Sequence, residues 1–267
     1  MRVALNQSCL PGLSTAQFVA VAADAGAEAV ELRHLGSSES PVVMGNAARA
    51  GGLPVASVGP LMDWALRDDP DQVETFEALL DLALAAGSSV IVCVGPMSER
   101  PCPSRDETIA VTATHLAALV ERARGSGIRL ALEQVGLSSS RPGVVGCIRS
   151  LQDAFAIVEA VGAGAALCID SYNLATAAIA YRDLATVPAS RVVIAQIADR
   201  DPASPWRALP SEGDLDLFQF VESLAAIGYT GALSVETFPQ GPWPDPLAAA
   251  RRAVRSTRRL LGETPPS

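Results

Sequence analysis

Short apolar runs alternate with longer amphipathic stretches along the whole chain. Eight runs have strand length: 1–10, 29–33, 54–58, 88–94, 128–133, 165–170, 191–196 and 231–236. Each is mostly apolar and bounded by loop residues, the pattern of a buried strand. The intervening stretches read as helices. Ser14 is placed to cap a helix through Ala27, and further helices are expected over about 43–50, 71–86, 105–124, 151–161, 174–181 and 216–227, with a final one closing the chain. A polar, Ser-rich loop occupies Gly136 to Gly146. No linker or composition break interrupts the series.

Eight strand–helix units in one uninterrupted chain imply a parallel sheet closed into a single (β/α)8 TIM barrel over residues 1–267, with 260–267 as a disordered tail. In such barrels the functional groups lie at the C-terminal ends of the strands. Several runs end there on polar residues. Ile128 to Leu132 carry Glu133, Cys168-Ile leads to Asp170, Val192 to Ala195 lead to Gln196, and Leu233-Ser-Val leads to Glu236. The first run ends on Asn6, Gln7 and Ser8, and the second holds Glu31 and Arg33.

Composition narrows the chemistry. The chain is 49% hydrophobic and carries a net charge of −9, which suits a large core and argues against nucleic-acid binding. Arg251, Arg252, Arg255, Arg258 and Arg259 cluster near the end and read as the solvated face of a last helix. All 20 basic residues are arginine, so lysine Schiff-base chemistry is excluded. The five cysteines are odd in number and lack Cys-x-x-Cys spacing; reduced thiols in a cytoplasmic protein are expected. No basic segment with an apolar signal core opens the sequence, and no apolar run is long enough for a membrane span. Neither a Gly-x-Gly-x-x-Gly after the first strand nor a Walker loop is present.

Three carboxylates and an amide at the ends of consecutive strands form a set of hard oxygen donors. Such donors suit one divalent metal ion, Mn²⁺ or Mg²⁺ first and Zn²⁺ or Co²⁺ also. A cation removes the repulsion among Glu133, Asp170 and Glu236, holds adjacent oxygens of a hydroxy-ketone and stabilises the enediolate left by proton loss. Glu133 and Glu236 can then act as base and acid. The competing reading of any single strand-end carboxylate is a loop cap. Arg207 is a candidate for binding a substrate oxyanion, Glu31 for a substrate hydroxyl, and Trp64, with Trp206 and Trp243, for walling a sugar-sized pocket. His34 sits past the second strand and reads as a loop histidine, and His115 as structural.

Several segments together resemble the xylose isomerase-like TIM barrels of the sugar phosphate isomerase/epimerase family. They are Ala131-Leu-Glu133, Cys168-Ile-Asp170-Ser-Tyr-Asn173-Leu, Gln196-Ile-Ala-Asp199, the stretch Arg207 to Asp216, and Gly228 to Glu236. The resemblance implies that Glu133, Asp170, Gln196 and Glu236 hold one divalent metal and that the two glutamates share proton transfer. Members usually carry His where this chain has Asn173 and often where it has Gln196. Glutamine still supplies a neutral oxygen, and Asn173 can hydrogen-bond an oxyanion but cannot titrate near neutral pH.

These readings lead to an isomerase or epimerase of a keto-sugar, cyclitol or related polyol, in carbohydrate metabolism, with a homo-oligomer as a family-level expectation. A lyase using the same site, a dehydratase of the 3-dehydroshikimate or keto-inositol type, shares the first step. An endonuclease IV-like nuclease would need many histidines, and only two exist. A non-catalytic ligand-binding barrel is the remaining alternative.

Overall fold

A computed structural model describes residues 1–65, 70–99, 101–136, 143–204 and 206–263, with the backbone alone at 70 and 71. Residues 137–142 of the Ser-rich loop and 264–267 of the expected tail lie outside the described residues. Eight parallel strands close the barrel: β1 (Arg2–Asn6), β2 (Ala29–Arg33), β3 (Val55–Leu61), β4 (Val90–Val94), β5 (Arg129–Glu133), β6 (Ala165–Asp170), β7 (Val192–Ile197) and β8 (Ala232–Val235). Their spatial order follows the chain, and β8 pairs back onto β1 with Arg2 opposite Ala232 and Leu5 opposite Val235.

The period of two along each strand sorts the side chains. Outward residues such as Val3, Leu5, Val30, Leu32, Leu130 and Leu132 join the large core beneath the helices. Inward residues Ala4, Ala29, Val92, Ala131, Cys168, Ile194 and Ala232 form a separate small cluster inside the barrel. Two residues further along the same inward face come Asn6, Glu31, Val94, Glu133, Asp170 and Gln196. The polar strand ends therefore share a face by register, above a floor of mostly small side chains.

The helices are α1 (Thr15–Asp24), α2 (Pro41–Ala50), α3 (Pro70–Ala86), α4 (Arg105–Arg122), α5 (Leu151–Val161), α6 (Ser171–Thr176), α7 (Leu217–Ala226) and α8 (Pro246–Leu260). Ser14 caps α1 in a reciprocal capping box with Gln17. Ser104, Ser150, Asp216 and Asp245 cap α4, α5, α7 and α8. α6 departs from the expected 174–181. It starts directly after β6 because Asp170 itself caps it, accepting from Asn173 N at 2.6 Å. Four of the five C-terminal arginines are exposed on α8; Arg258 is half-buried and donates to Gly26 O. No helix among the described residues is long and apolar enough to cross a membrane.

Two antiparallel ribbons lie beyond the strand ends, Met97–Ser98 with Val145–Gly146 and Asp199–Arg200 with Arg207–Ala208. Buried Asp199 braces the second by accepting from the backbone of Arg200, Ser211 and Leu215. The first corrects the cysteine expectation. Cys102 and Cys147 form a disulfide with Cα atoms 5.4 Å apart, while Cys9, Cys93 and Cys168 are free and buried. The two partners are 45 residues apart, and only the pairing of the loops after β4 and β5 brings them together.

Candidate metal and proton-transfer site

At the C-terminal mouth, one oxygen each from Glu133, Asp170 and Glu236 lie within 4.8 Å of one another, and all three residues are buried. They come from β5, β6 and the first position after β8. A cavity of about 290 Å³ opens onto Glu133 and Glu236, with Asn6, Glu31, Asn173 and Gln196 also on its polar side.

Each carboxylate is held. Asn173 Nδ2 donates to Glu133 Oε1 at 2.5 Å. Asp170 splits its two oxygens: Oδ1 caps α6, and Oδ2 accepts from Arg207 Nη1 at 2.8 Å. The same Nη1 donates to Glu236 Oε2 at 2.6 Å, and Asn6 Nδ2 reaches Glu236 Oε1 at 3.2 Å. The guanidinium of Arg207 lies against Tyr172 and Phe238, with its Cζ 4.9 and 5.1 Å from their ring centroids.

One guanidinium does not balance this much negative charge. Burial pushes the Glu133 carboxyl well above the ordinary carboxylate range, and the neighbouring Glu236 and Asp170 charges add to it. Burial raises Asp170 against the pull of Arg207. Glu236 is pushed up to about 7, by burial first and by the Glu31 charge, with Arg207 opposing. Glu31 is raised by burial, and its Oε2 has no hydrogen-bond partner among the described residues. Buried hard oxygens from β5, β6 and the end of β8, under-compensated in charge, are a donor set that fits a divalent cation.

The other expected residues divide. Gln196 faces the cluster through Nε2, which donates to Glu31 Oε1 at 3.0 Å and Glu236 Oε1 at 3.3 Å, while its Oε1 lies 3.2 Å from Cys168 Sγ. Asn173 holds Glu133 rather than standing free for a substrate oxyanion, and Arg207 is engaged by Asp170 and Glu236. Trp64 is corrected outright. It is buried under the barrel rim, its Nε1 donates to Val94 O at 2.7 Å, and it does not line the described cavity. Trp243 donates to Cys9 O and also lies away from that cavity, whereas Trp206 lines it. Arg200 pairs with Asp214 on the surface. His115 packs its Nδ1 3.1 Å from Trp64 O, and His34 borders a separate surface hollow.

Sequence reasoning passed over Arg33 and Phe238, which line the cavity. Arg33 had a signal: it lies two positions past Glu31 and shares its inward face. Phe238 had none, because it sits in a loop without periodicity.

Comparisons place this geometry among known proteins. The chain is 28% identical over 161 residues to a 3-dehydroshikimate dehydratase from Pseudomonas aeruginosa, a match covering 57% of this chain and 24% of that protein. The chain thus spans about a quarter of that relative's length. Among solved structures, the IolI protein with a bound zinc atom superposes with a TM-score of 0.84 at 18% identity, covering 98% of both chains. D-allulose 3-epimerase from Methylomonas sp., in complex with D-allulose, gives 0.79 at 18% identity over 97% of this chain and 96% of that one. These likenesses establish the fold. A family model described as xylose isomerase-like TIM barrel matches residues 19–260, and the chain belongs to that family.

Proposed function

We propose that this protein is a divalent-metal-dependent isomerase or epimerase that removes and returns a proton next to the carbonyl of a keto-sugar, cyclitol or related polyol. The observation that carries this reading is the buried convergence of Glu133, Asp170 and Glu236 oxygens within 4.8 Å. These three residues would hold the cation; Gln196, whose Nε2 faces the cluster, would join them as a neutral oxygen donor only with its amide turned over. When bound, the cation supplies positive charge that polarises a carbonyl and favours loss of the adjacent proton.

The remaining work falls to the side chains. Glu133, fixed by Asn173, takes the proton at a carboxylate oxygen. Glu236, across the cluster from Glu133, returns a proton to the enolised substrate. Arg207 keeps Asp170 and Glu236 in register. The apolar wall of Val92, Val94, Met97 and Val135 keeps bulk water from the exchanging proton.

A lyase reading shares the first step and then loses a β-hydroxyl. It is favoured by the dehydratase relative. The test is turnover in D₂O with Mn²⁺, using D-allulose, 2-keto-inositol and 3-dehydroshikimate in turn. Deuterium entering next to the carbonyl supports the proposal, and Glu133→Gln is expected to slow it by about 10²–10⁴. Growth of an ultraviolet-absorbing enone or aromatic product selects the lyase. Absence of exchange with every substrate and metal overturns both.

A further inference from the structure

The cavity holds a second cation, Arg33, on which the charges of Glu236 and Glu31 act only at a distance. Arg33 ends β2 two positions beyond Glu31, so its side chain stands one layer nearer the mouth on the same inward face. It has no ion-pair partner within salt-bridge distance among the described residues. The neighbouring acids make their hydrogen bonds elsewhere: Glu236 with Arg207 and Asn6, and one oxygen of Glu31 with Gln196. The guanidinium instead stacks on Phe238, its Cζ 5.6 Å from the ring centroid. Stacking fixes the plane and covers a face, but leaves the N–H groups at the edge available. Burial lowers its pKa, so a half-buried cation is kept there at a cost that an incoming anion would relieve.

The rest of the wall restricts what that anion is attached to. Leu35, Pro60 and Met62 line the cavity together with the valines of β4, and offer hydroxyl groups no partner. A polyol with a hydroxyl on every carbon would leave several of them unpaired there. The volume, about 290 Å³, admits only a small ligand.

We infer that Arg33 is a carboxylate-binding subsite, which narrows the polyol of the proposed reaction to a small, hydroxylated ring acid with one apolar face in preference to a neutral sugar. This rests on the reaction proposed above for the substrate's other end, but binding alone tests it. Shikimate and methyl shikimate serve as probes, since neither has a ketone to enolise. Calorimetry with the Mn²⁺-loaded full chain is expected to show the acid binding about tenfold or more tighter than the ester. Arg33→Gln should bring the acid down to the level of the ester, and Arg33→Lys should keep part of the preference. Equal or undetectable binding of both probes to the unmodified protein overturns the inference. So does a preference that survives Arg33→Gln. A variant that weakens acid and ester alike marks Arg33 as a counter-ion for the glutamates and overturns it too. Deuterium exchange is read separately, so a preserved acid preference without exchange would count against the proposed reaction and not against the subsite.

Discussion

Asn173 donates through Nδ2 to Glu133 Oε1 at 2.5 Å, from the first turn of α6 to the end of β5. The residue that departs from the usual family histidine thus orients the proposed base. Both groups are buried, so the bond is shielded from water. Asn173→Ala is expected to lower kcat by about tenfold to a hundredfold with a smaller change in KM. Asn173→Asp should do more damage by adding a fourth carboxylate. Steady-state rates with deuterium exchange check this; unchanged exchange in Asn173→Ala would remove the positioning role.

The crowded carboxylates make a prediction about pH. Glu236 titrates at about 7 in the fold against an ordinary 4.5, and Glu133 is raised as well. The folded metal-free protein therefore binds more protons than the unfolded chain between these values. Their contribution to stability is present below about pH 4.5 and is lost as pH rises through 7. Melting in EDTA should show Tm falling across that window, roughly 5 °C or more. Added Mn²⁺ should stabilise more at pH 8 than at pH 5, because it replaces the protons. A Tm that rises from pH 5 to 7 in EDTA would contradict the assignment of buried, under-compensated acids.

The Cys102–Cys147 disulfide ties the loop after β4 to the loop after β5, beside Met97 at the cavity edge. Cross-linking residues 45 apart restricts the unfolded chain and stabilises by about 2–4 kcal/mol. Cys102→Ser is expected to lower Tm by roughly 5–10 °C, and dithiothreitol should do the same to the unmodified protein but not to the variant. Thiol titration under denaturing conditions, with and without reductant, checks the bond itself: three reactive thiols without reductant and five with it.

The barrel was legible because its strands are mostly apolar runs and its helices carry caps such as Ser14 and Asp216. Their position at C-terminal strand ends then grouped Glu133, Asp170, Gln196 and Glu236 before any contact was known. Misreadings arose where a local signal had two meanings. Asp170 is both a cluster carboxylate and the cap of α6, so the helix begins three residues earlier than its apolar pattern suggests. Trp64 has the composition of a pocket wall, yet its indole N–H is taken by Val94 O.

The sequence alone determined the closed eight-stranded barrel and the convergence of four polar strand ends, because backbone periodicity and burial are properties of each segment. Tertiary structure alone decided which charges meet. Arg207 enters between Asp170 and Glu236 from a ribbon far along the chain, Arg33 lies over Phe238 without a salt-bridge partner among the described residues, and Cys102 finds Cys147. Those pairings depend on how loops fold across the barrel mouth, where neither periodicity nor spacing constrains the partner.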